Sequence, residues 1–177
     1  MGTLFDRKPN TYAPPPPQNA LPPTFLGQSP SPETMPATTG RTAVMVDLPG
    51  LSESTYLDSE FVPKVDAFIR YAREAGHELT FESGYRSPQK QKYMVDNNIG
   101  ITPAANSLHK AGLAVDVIFP KESQLVIRKA AERAGLSWGG AFTPSDPVHF
   151  YFDPIPNQDR TELIDNFTEQ VRRTQSK

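Results

Sequence analysis

The sequence predicts an α+β domain preceded by a proline-rich N-terminal arm. Segments with strand-like alternation and segments with helical spacing follow one another without the regular strand–helix–strand rhythm of a doubly wound parallel sheet. Ten of the nineteen prolines fall in the first 40 residues. Since proline fixes φ and removes a backbone donor, that stretch favours neither helices nor sheet ladders. The 177 residues therefore divide into an arm and one domain large enough to bury a core.

Residues 1–42 form the predicted arm, which includes the run Pro14-Pro15-Pro16-Pro17, and residues 43–156 form the predicted domain. Proline runs favour an extended, polyproline-like linker. The arm is either a disordered tail or a docking and delivery segment, with residues 24–26 as an apolar anchor for a partner. The first eight residues lack the basic-then-apolar plan of a secretory signal, so we expect no Sec-type export.

The first predicted element of the domain is the apolar run Ala43–Val46, which forms a short strand or a packed loop. A helix follows, capped by Asp58 or Ser59, with Pro63 in its first turn and Gly76 at its end. The apolar stripe of this helix, at spacings of three and four, comprises Val62, Val65, Ile69 and Ala72.

The middle of the chain alternates as a strand over residues 78–82 and then begins a helix at Ser87-Pro88, a hydroxyl cap followed by proline. This helix is predicted to end near residues 96–98. Residues 113–119 form a mostly apolar run of strand length, interrupted only by Asp116. The pattern predicts a buried strand that carries one charged side chain.

A further helix is predicted over residues 123–134, stopped by Gly135. Its apolar members are Leu125, Ile127, Ala130, Ala131 and Ala134. A turn at residues 138–140 and a final strand over residues 148–152 complete the predicted domain.

Residues 157–177 contain an amphipathic segment from Thr161 to about Thr174. Its apolar members are Leu163, Ile164, Phe167 and Val171. We expect this segment to be a helix that packs on the domain, and binding of a partner is the alternative.

Composition limits the classes of partner. The net charge of −2 does not indicate a polyanionic partner, so we expect no nucleic-acid binding. The absence of cysteine excludes disulfides and thiolate metal sites. No apolar run approaches the roughly 20 residues that a membrane span needs. A monomer is the expected form.

Asp116 is the most informative residue of the sequence. A carboxylate buried without a partner inside an apolar strand carries a large free-energy penalty. Asp116 therefore needs a cation, which is either a metal ion or the side chain of a lysine or arginine. An exposed position at the sheet edge is the remaining alternative.

Two of the three histidines lie where they could share a cation with Asp116. His109 precedes Asp116 by seven residues, so in one unbroken strand the two side chains would point to opposite faces. A bend near Gly112 would bring them to one point. With His149 they form a set of two imidazoles and one carboxylate, and three protein ligands with an open fourth position are typical of catalytic zinc. His77 has no carboxylate at ligand-like spacing and is interpreted as solvated.

Two further residues are candidates for catalysis. Asp146 lies three residues before His149, and its carboxylate could act as a general base and then as a proton donor to a leaving amine. An ordinary turn residue before Pro147 is the alternative. Arg86 follows a predicted strand and precedes a helix cap, where loops commonly build sites. Its guanidinium could bind a substrate carboxylate or stabilise an oxyanion, with a surface arginine as the alternative.

These segments resemble, in order and spacing, the motifs of the zinc peptidases of bacterial cell walls. The matching motifs are Ser83-Gly84-Tyr85-Arg86-Ser87 with Gln91, Ser107-x-His109-x-x-Gly112-x-Ala114-x-Asp116, Trp138-Gly139-Gly140 and Asp146-x-x-His149-Phe150. The family includes VanY-type D-alanyl-D-alanine carboxypeptidases and the L-alanyl-D-glutamate endopeptidases of phage lysins and bacilli. The resemblance covers roughly residues 50–153 and implies a hedgehog/DD-peptidase-like fold, a small antiparallel sheet flanked by helices.

The resemblance also implies roles for individual residues. It implies that Zn2+ is held by His109, Asp116 and His149. Asp146 would be the catalytic acid and base, and Arg86 would stabilise the substrate or the transition state. The implied supporting positions are Ser107, Gln91, Tyr85 and Trp138.

The function that the resemblance implies is hydrolysis of an amide in the stem peptide of peptidoglycan. Asp146 stands where the carboxypeptidases usually have glutamate, and with the Trp-Gly-Gly segment this favours an L-alanyl-D-glutamate endopeptidase. The alternatives are a D-alanyl-D-alanine carboxypeptidase or D,D-endopeptidase, and a non-catalytic wall-binding module. We expect the chain to be made in the cytoplasm and to act on the cell wall, in the periplasm, after phage-type release or delivery by a secretion apparatus.

Overall fold

A computed structural model describes residues 40–100 and 104–176. Nearly all of the predicted arm lies outside the described residues, so its role as a docking segment stays a prediction. Within the described ranges, no helix is long and apolar enough to cross a membrane.

The central sheet has four antiparallel strands in the order β3–β4–β6–β5. Its strands are β3 (Thr80–Ser83), β4 (Ala114–Ile118), β5 (Ser137–Trp138) and β6 (His149–Tyr151). β4 is buried along most of its length because it pairs on both sides and carries an apolar run. The α+β class and the small antiparallel sheet are therefore confirmed.

A separate two-stranded sheet precedes the first helix. It pairs β1 (Ala43–Val46) with β2 (Thr55–Asp58) in antiparallel register. β2 is absent from the sequence prediction, which assigned Asp58 or Ser59 to a helix cap, and the Ser59 hydroxyl instead accepts from the backbone N–H of Thr42 at 3.0 Å. The Asp58 carboxylate instead accepts a hydrogen bond from the backbone N–H of Glu60 at 2.9 Å and pairs with Arg41. The predicted cap is wrong because this carboxylate serves the turn that follows β2.

Three helices pack around the sheet: α1 (Val62–Glu74), α2 (Pro88–Asp96) and α3 (Gln124–Arg133). Ser87 caps α2 as predicted, because its hydroxyl accepts a hydrogen bond from the N–H of Lys90 at 3.2 Å. Leu125, one of the apolar residues predicted for α3, is 60% exposed. The buried face of α3 is formed by Ile127, Ala130 and Ala131.

The C-terminal helix α4 (Thr161–Gln175) covers the loop that precedes β4. All four of its predicted apolar residues are buried: Leu163, Ile164, Phe167 and Val171. Gln170 links the helix to the start of β1, since its side chain accepts from the N–H of Ala43 at 2.7 Å and donates to the carbonyl of Arg41 at 3.1 Å. α4 therefore packs against the rest of the domain along its apolar face.

Candidate metal centre and active-site cleft

The sheet register places one carboxylate beside one imidazole. Asp116 on β4 lies directly opposite His149 on β6, and opposite Ser83 on β3. Residues opposite each other on antiparallel strands point to the same face of the sheet. The three side chains therefore form a row across one face.

His109 reaches the same point from outside the sheet. It lies on a short 3-10 turn, Leu108–Ala111, which ends at Gly112. Gly112 has φ of +63°, in the left-handed region that glycine adopts without a Cβ penalty. This reversal turns the chain from the 3-10 turn into β4, as the sequence predicted. A Cβ at Gly112 would lie 2.3 Å from the ring of Phe167, so α4 also packs closely on this bend.

Three potential ligand atoms converge in this structure. His149 Nδ1 lies 3.1 Å from Asp116 Oδ1, His109 Nε2 lies 3.3 Å from the same oxygen, and the two nitrogens are 3.2 Å apart. His109 is 1% exposed and Asp116 is 6% exposed. All three residues that the sequence selected as metal ligands therefore belong to one cluster.

The tautomer of His109 follows from its second nitrogen. His109 Nδ1 lies 2.6 Å from the carbonyl oxygen of Gly84, which can only accept a hydrogen bond. Nδ1 therefore carries the proton, and Nε2 presents a lone pair toward Asp116 Oδ1. Burial lowers the pKa of His109, although Asp116 opposes this shift, so the imidazole is neutral. Two acceptors that face each other at 3.3 Å need a cation between them.

Hydrogen bonding without a metal leaves part of this cluster unexplained. A proton on His149 Nδ1 could be donated to Asp116 Oδ1, but His109 Nε2 would still face the same oxygen. Burial alone would raise the pKa of Asp116, yet the neighbouring imidazoles of His109 and His149 and the charge of Arg86 hold that pKa well below its usual range. Asp116 is therefore ionised and surrounded by groups that stabilise its negative charge.

The spacing of the three atoms fits zinc. With Zn–N and Zn–O distances of about 2.0–2.1 Å, ligand atoms of a tetrahedral site lie about 3.3–3.4 Å apart. The three separations of 3.1–3.3 Å are close to that value. Two imidazole nitrogens and one carboxylate oxygen are also a donor set that zinc accepts. The residues present therefore fit a zinc ion.

Arg86 binds the other oxygen of the ligand carboxylate. Its Nη2 donates to Asp116 Oδ2, and its Nε donates to the hydroxyl of Ser83 at 2.9 Å. Its backbone N–H donates to the carbonyl of His109 at 3.2 Å. Arg86 thus fixes the orientation of Asp116 and ties the strand end of β3 to the 3-10 turn. Its side chain also lines the cleft, as the sequence prediction required.

Asp146 lies beside the cluster and is only 8% exposed. The segment that carries it is held by neighbouring groups. The indole N–H of Trp138 donates to the carbonyl of Pro147 at 2.8 Å, and the N–H of Asp146 donates to the carbonyl of Gly139 at 3.0 Å. A Cβ at Gly139 would lie 2.8 Å from the backbone oxygen of Asp146 and 2.9 Å from Cβ of His149. Trp138 and Gly139 therefore set the path from Asp146 to His149.

The other supporting positions act at different places. The hydroxyl of Ser107 accepts from the N–H of His109 at 3.4 Å and caps the 3-10 turn. The side-chain amide of Gln91, which is 2% exposed, donates to the carbonyl of Ala104 at 2.9 Å and holds the approach to that turn. Tyr85 does not line the cleft, because its ring packs at 5.6 Å from Phe167 of α4.

A cleft of about 570 Å³ opens over the cluster. Phe142, His149 and Tyr151 form an aromatic wall, with ring centroids 5.5–5.9 Å apart. Beyond Tyr151 the lining continues to Asp153 and Arg160. The sequence analysis did not identify Tyr151, Asp153 or Arg160 as site residues. Tyr151 and Asp153 follow His149 at intervals of two residues, so the strand period could have placed them on the same face.

A second cavity of about 460 Å³ shares Asp146 and Arg86 with the first. These two residues line both cavities, and Asp116 also contributes to the second one. Glu82, Lys90 and Val148 are among its other lining residues. The catalytic candidates therefore border two cavities.

No protein-family model and no curated protein matches the chain. Among solved structures, it is similar to the L-Ala D-Glu endopeptidase ChiX of Serratia marcescens, at 25% identity over 55% of this chain and 80% of that chain, with a TM-score of 0.43. It is similar to a mutant of the vancomycin-resistance D,D-pentapeptidase VanY from a VanB-type cassette in complex with Zn(II), at 24% identity over 60% of this chain and 78% of that chain, with a TM-score of 0.46. VanYB in complex with D-alanine-D-alanine has 21% identity over 73% of this chain and 89% of that chain, with a TM-score of 0.45.

Proposed function

We propose that the chain is a zinc-dependent peptidase that hydrolyses an amide in the stem peptide of peptidoglycan, with L-alanyl-D-glutamate as the bond that it cuts. One observation carries this proposal. His109 Nε2, Asp116 Oδ1 and His149 Nδ1 meet at 3.1–3.3 Å from one another beside a cleft that also contains a carboxylate, Asp146. The motifs of the sequence that resemble wall peptidases are the segments that build this arrangement.

The residues around the cluster can divide the work of amide hydrolysis. Zinc in such a site supplies Lewis acidity and lowers the pKa of a bound water to about 7. The carboxylate of Asp146 would accept the proton of the attacking water and return it to the leaving amine. Arg86 would hold the ligand carboxylate in place and contribute positive charge next to the developing oxyanion.

The two cavities support an endopeptidase. A carboxypeptidase needs room for a single terminal residue on one side of the scissile amide, whereas an endopeptidase needs room for chain on both sides. Arg86 and Asp146 line both cavities, so the space available to a stem peptide extends beyond the first cavity. This arrangement favours cleavage within the stem over removal of its terminal D-alanine.

The place of action follows from the proposed substrate. We infer that the protein acts on the cell wall after phage-type release or delivery by a secretion apparatus, with residues 1–42 as the segment that docks on the delivery machinery. We expect it to act as a monomer.

The test is mass spectrometry of muropeptides after purified sacculi are incubated with zinc and one of three proteins: wild type, His149→Ala, and the matched control His77→Ala. His77 lies outside the cluster. We expect wild type and His77→Ala to release fragments with new D-glutamate N-termini and the corresponding L-alanine C-termini, and His149→Ala to release none.

Other outcomes would redirect the proposal. Release of free D-alanine would show a D,D-carboxypeptidase, and cleavage of cross-links would show a D,D-endopeptidase, with the metal site retained in both cases. If all three proteins bind the sacculi and none changes them, the domain is a wall-binding module and the catalytic proposal is wrong.

A further inference from the structure

The end of the cleft that lies away from the metal cluster carries a pair of opposite charges. Asp153 and Arg160 both line the cavity, and Arg160 Nη2 donates to Asp153 Oδ2. Their side chains are 11% and 28% exposed, so both are partly shielded from water and still reach the cavity. Arg160 immediately precedes α4, and Asp153 follows β6.

This pair has hydrogen-bonding capacity that the described residues do not use. Arg160 has five N–H donors in a planar fork. Its Nε is buried and has no acceptor within the described part of the chain. Arg86, the other arginine of the cavity lining, is already bound to Asp116 and Ser83. Arg160 lines the cleft with a side chain that is 28% exposed, and it has N–H groups beyond the one that donates to Asp153, so it can receive a carboxylate of a ligand.

Asp153 makes the end of the cleft suitable for a cation as well. Its Oδ1 accepts from the N–H of Ile155 at 3.2 Å, and its Oδ2 accepts from Arg160. A carboxylate oxygen has two lone pairs, so each oxygen can accept a second hydrogen bond. The pair thus presents an acceptor for an ammonium next to a donor for a carboxylate, which is the pattern complementary to a free amino acid group.

The distance from the metal cluster limits which part of a substrate reaches this pair. Asp153 follows His149 by four residues along an extended segment, so their backbones are about 13 Å apart at about 3.3 Å per residue. In a stem peptide, D-glutamate is linked to the following residue through its side-chain carboxyl. The distance from the scissile amide, through this D-glutamate, to the end of the following residue's four-carbon side chain is about 13 Å when extended. The group that reaches Asp153 and Arg160 is therefore the end of the third residue's side chain.

We propose that Asp153 and Arg160 bind the free amino acid group at the side-chain end of diaminopimelate, and that the enzyme thereby selects stem peptides with diaminopimelate over those with lysine. This inference rests on the proposed endopeptidase function. Diaminopimelate carries both an ammonium and a carboxylate at that end, whereas lysine carries only the ammonium. The charged pair also orients the substrate, because the L-alanine side of the scissile amide carries no charge that would match it.

The experiment compares kcat/KM on three soluble peptides: L-Ala-γ-D-Glu-diaminopimelate, the same peptide with L-lysine, and the diaminopimelate peptide amidated on its side-chain carboxylate. We expect wild type to favour the first over the other two by about 10- to 100-fold, the range for a hydrogen-bonded pair of charges. Arg160→Gln should lose this factor on the first peptide and change the other two by less than about 3-fold.

Two further variants separate recognition from folding. Arg160→Lys keeps a cation beside Asp153 but loses the planar fork, so we expect it to melt near the wild-type temperature and to lose most of the preference. Arg173→Gln, at an exposed arginine of α4, should keep the wild-type preference. A structural role of the Asp153–Arg160 pair would lower kcat/KM on all three peptides by the same factor, which would overturn the proposal.

The failure of this inference is distinct from failure of the proposed function. If wild type cleaves the three peptides equally well, the endopeptidase stands and selection by Asp153 and Arg160 is wrong. If wild type cleaves none of them while releasing D-alanine from longer stems, the endopeptidase assignment itself is wrong.

Discussion

The buried carboxylate of Asp116 is placed to bind both an arginine and a metal ion. The sequence required a cation for this carboxylate and left open whether the cation was a metal or an arginine. In the structure, Oδ2 binds Arg86 while Oδ1 faces His109 and His149. The arginine and the candidate metal site therefore use different oxygens of the same side chain, and the arginine orients the oxygen that would bind zinc.

Arg86 should consequently affect zinc binding as well as turnover. We expect Arg86→Gln to weaken zinc affinity by about 10- to 100-fold, as is typical when a hydrogen-bond partner of a metal ligand is removed. Competition with a chromogenic chelator measures this affinity. Arg70→Gln, on the exposed side of α1, is the matched control. Unchanged zinc affinity in Arg86→Gln would mean that the arginine acts on the substrate alone.

Replacement of Asp146 should lower turnover without changing zinc binding. We expect Asp146→Asn to lower kcat by about 100- to 10,000-fold, since an amide cannot accept and return the proton of the attacking water. Zinc content, measured by elemental analysis of the purified protein, should remain equal to that of wild type. Loss of zinc in this variant would instead assign Asp146 to the metal site.

The buried histidine makes the stability of the metal-free protein depend on pH. Burial lowers the folded-state pKa of His109 below its unfolded value of about 6.5. The stability from neutral His109 is therefore fully present above about pH 6.5 and is lost as pH falls toward the folded-state pKa. We expect urea unfolding with chelator present to give a free energy of unfolding that decreases by up to about 1.4 kcal/mol per pH unit below that point.

The control for this pH dependence is a pair of histidine variants. His109→Gln should flatten the decrease between pH 6.5 and 5, because the group that gains the proton on unfolding has been removed. His77→Gln should keep the wild-type slope. A wild-type free energy of unfolding that rises as the pH falls would contradict the assignment of a neutral, buried His109.

The 3-10 turn, β2 and α4 come together at Gly112. Added at this position, a Cβ would lie 2.3 Å from Cζ of Phe167 and 2.9 Å from the backbone N of Asp58. Gly76 has a positive φ as well, but a Cβ there would meet no atom within 4 Å. Alanine substitutions at the two glycines therefore separate the free-energy cost of the left-handed backbone conformation from the cost of overpacking.

We expect Gly76→Ala to destabilise the fold by about 1–2 kcal/mol, the cost of a Cβ in the left-handed region. Gly112→Ala should cost about 1–3 kcal/mol more, because Phe167 or the bend itself must move. Chemical denaturation of both variants measures the difference. Because the bend also positions His109, Gly112→Ala should weaken zinc binding, whereas Gly76→Ala should not. Equal destabilisation by both substitutions would contradict the close packing of α4 on this bend.

The whole domain should be more stable with its metal bound. The three ligands come from the 3-10 turn, β4 and β6, so unfolding separates them and releases the ion. A ligand at 100 times its Kd that binds only the folded state adds about 2.7 kcal/mol. For a domain of this size, we expect zinc to raise the melting temperature by roughly 5–10 °C. His149→Ala should melt at the same temperature with zinc and with chelator, whereas a zinc-induced rise in this variant would place the metal elsewhere.

The sequence was sufficient for features that depend on local patterns. The cap at Ser87, the helix with Leu163 and Phe167 on its buried face, and the strand around Asp116 all follow from spacing and from the preferences of single residues. The need of Asp116 for a cation follows from burial alone, and the order of the motifs was enough to select His109 and His149. Local spacing fails for β2, which depends on pairing with β1.

Only the tertiary structure decided how these parts meet. Antiparallel register sets Asp116 opposite His149, although 33 residues separate them. The left-handed bend at Gly112 brings His109 to the same point, and the division of the Asp116 oxygens between Arg86 and the histidines depends on distances that no spacing encodes. The charged end of the cleft joins Asp153 after β6 to Arg160 before α4. These contacts arise from packing between segments that are distant in the chain, whereas the spacing patterns of a sequence describe each segment by itself.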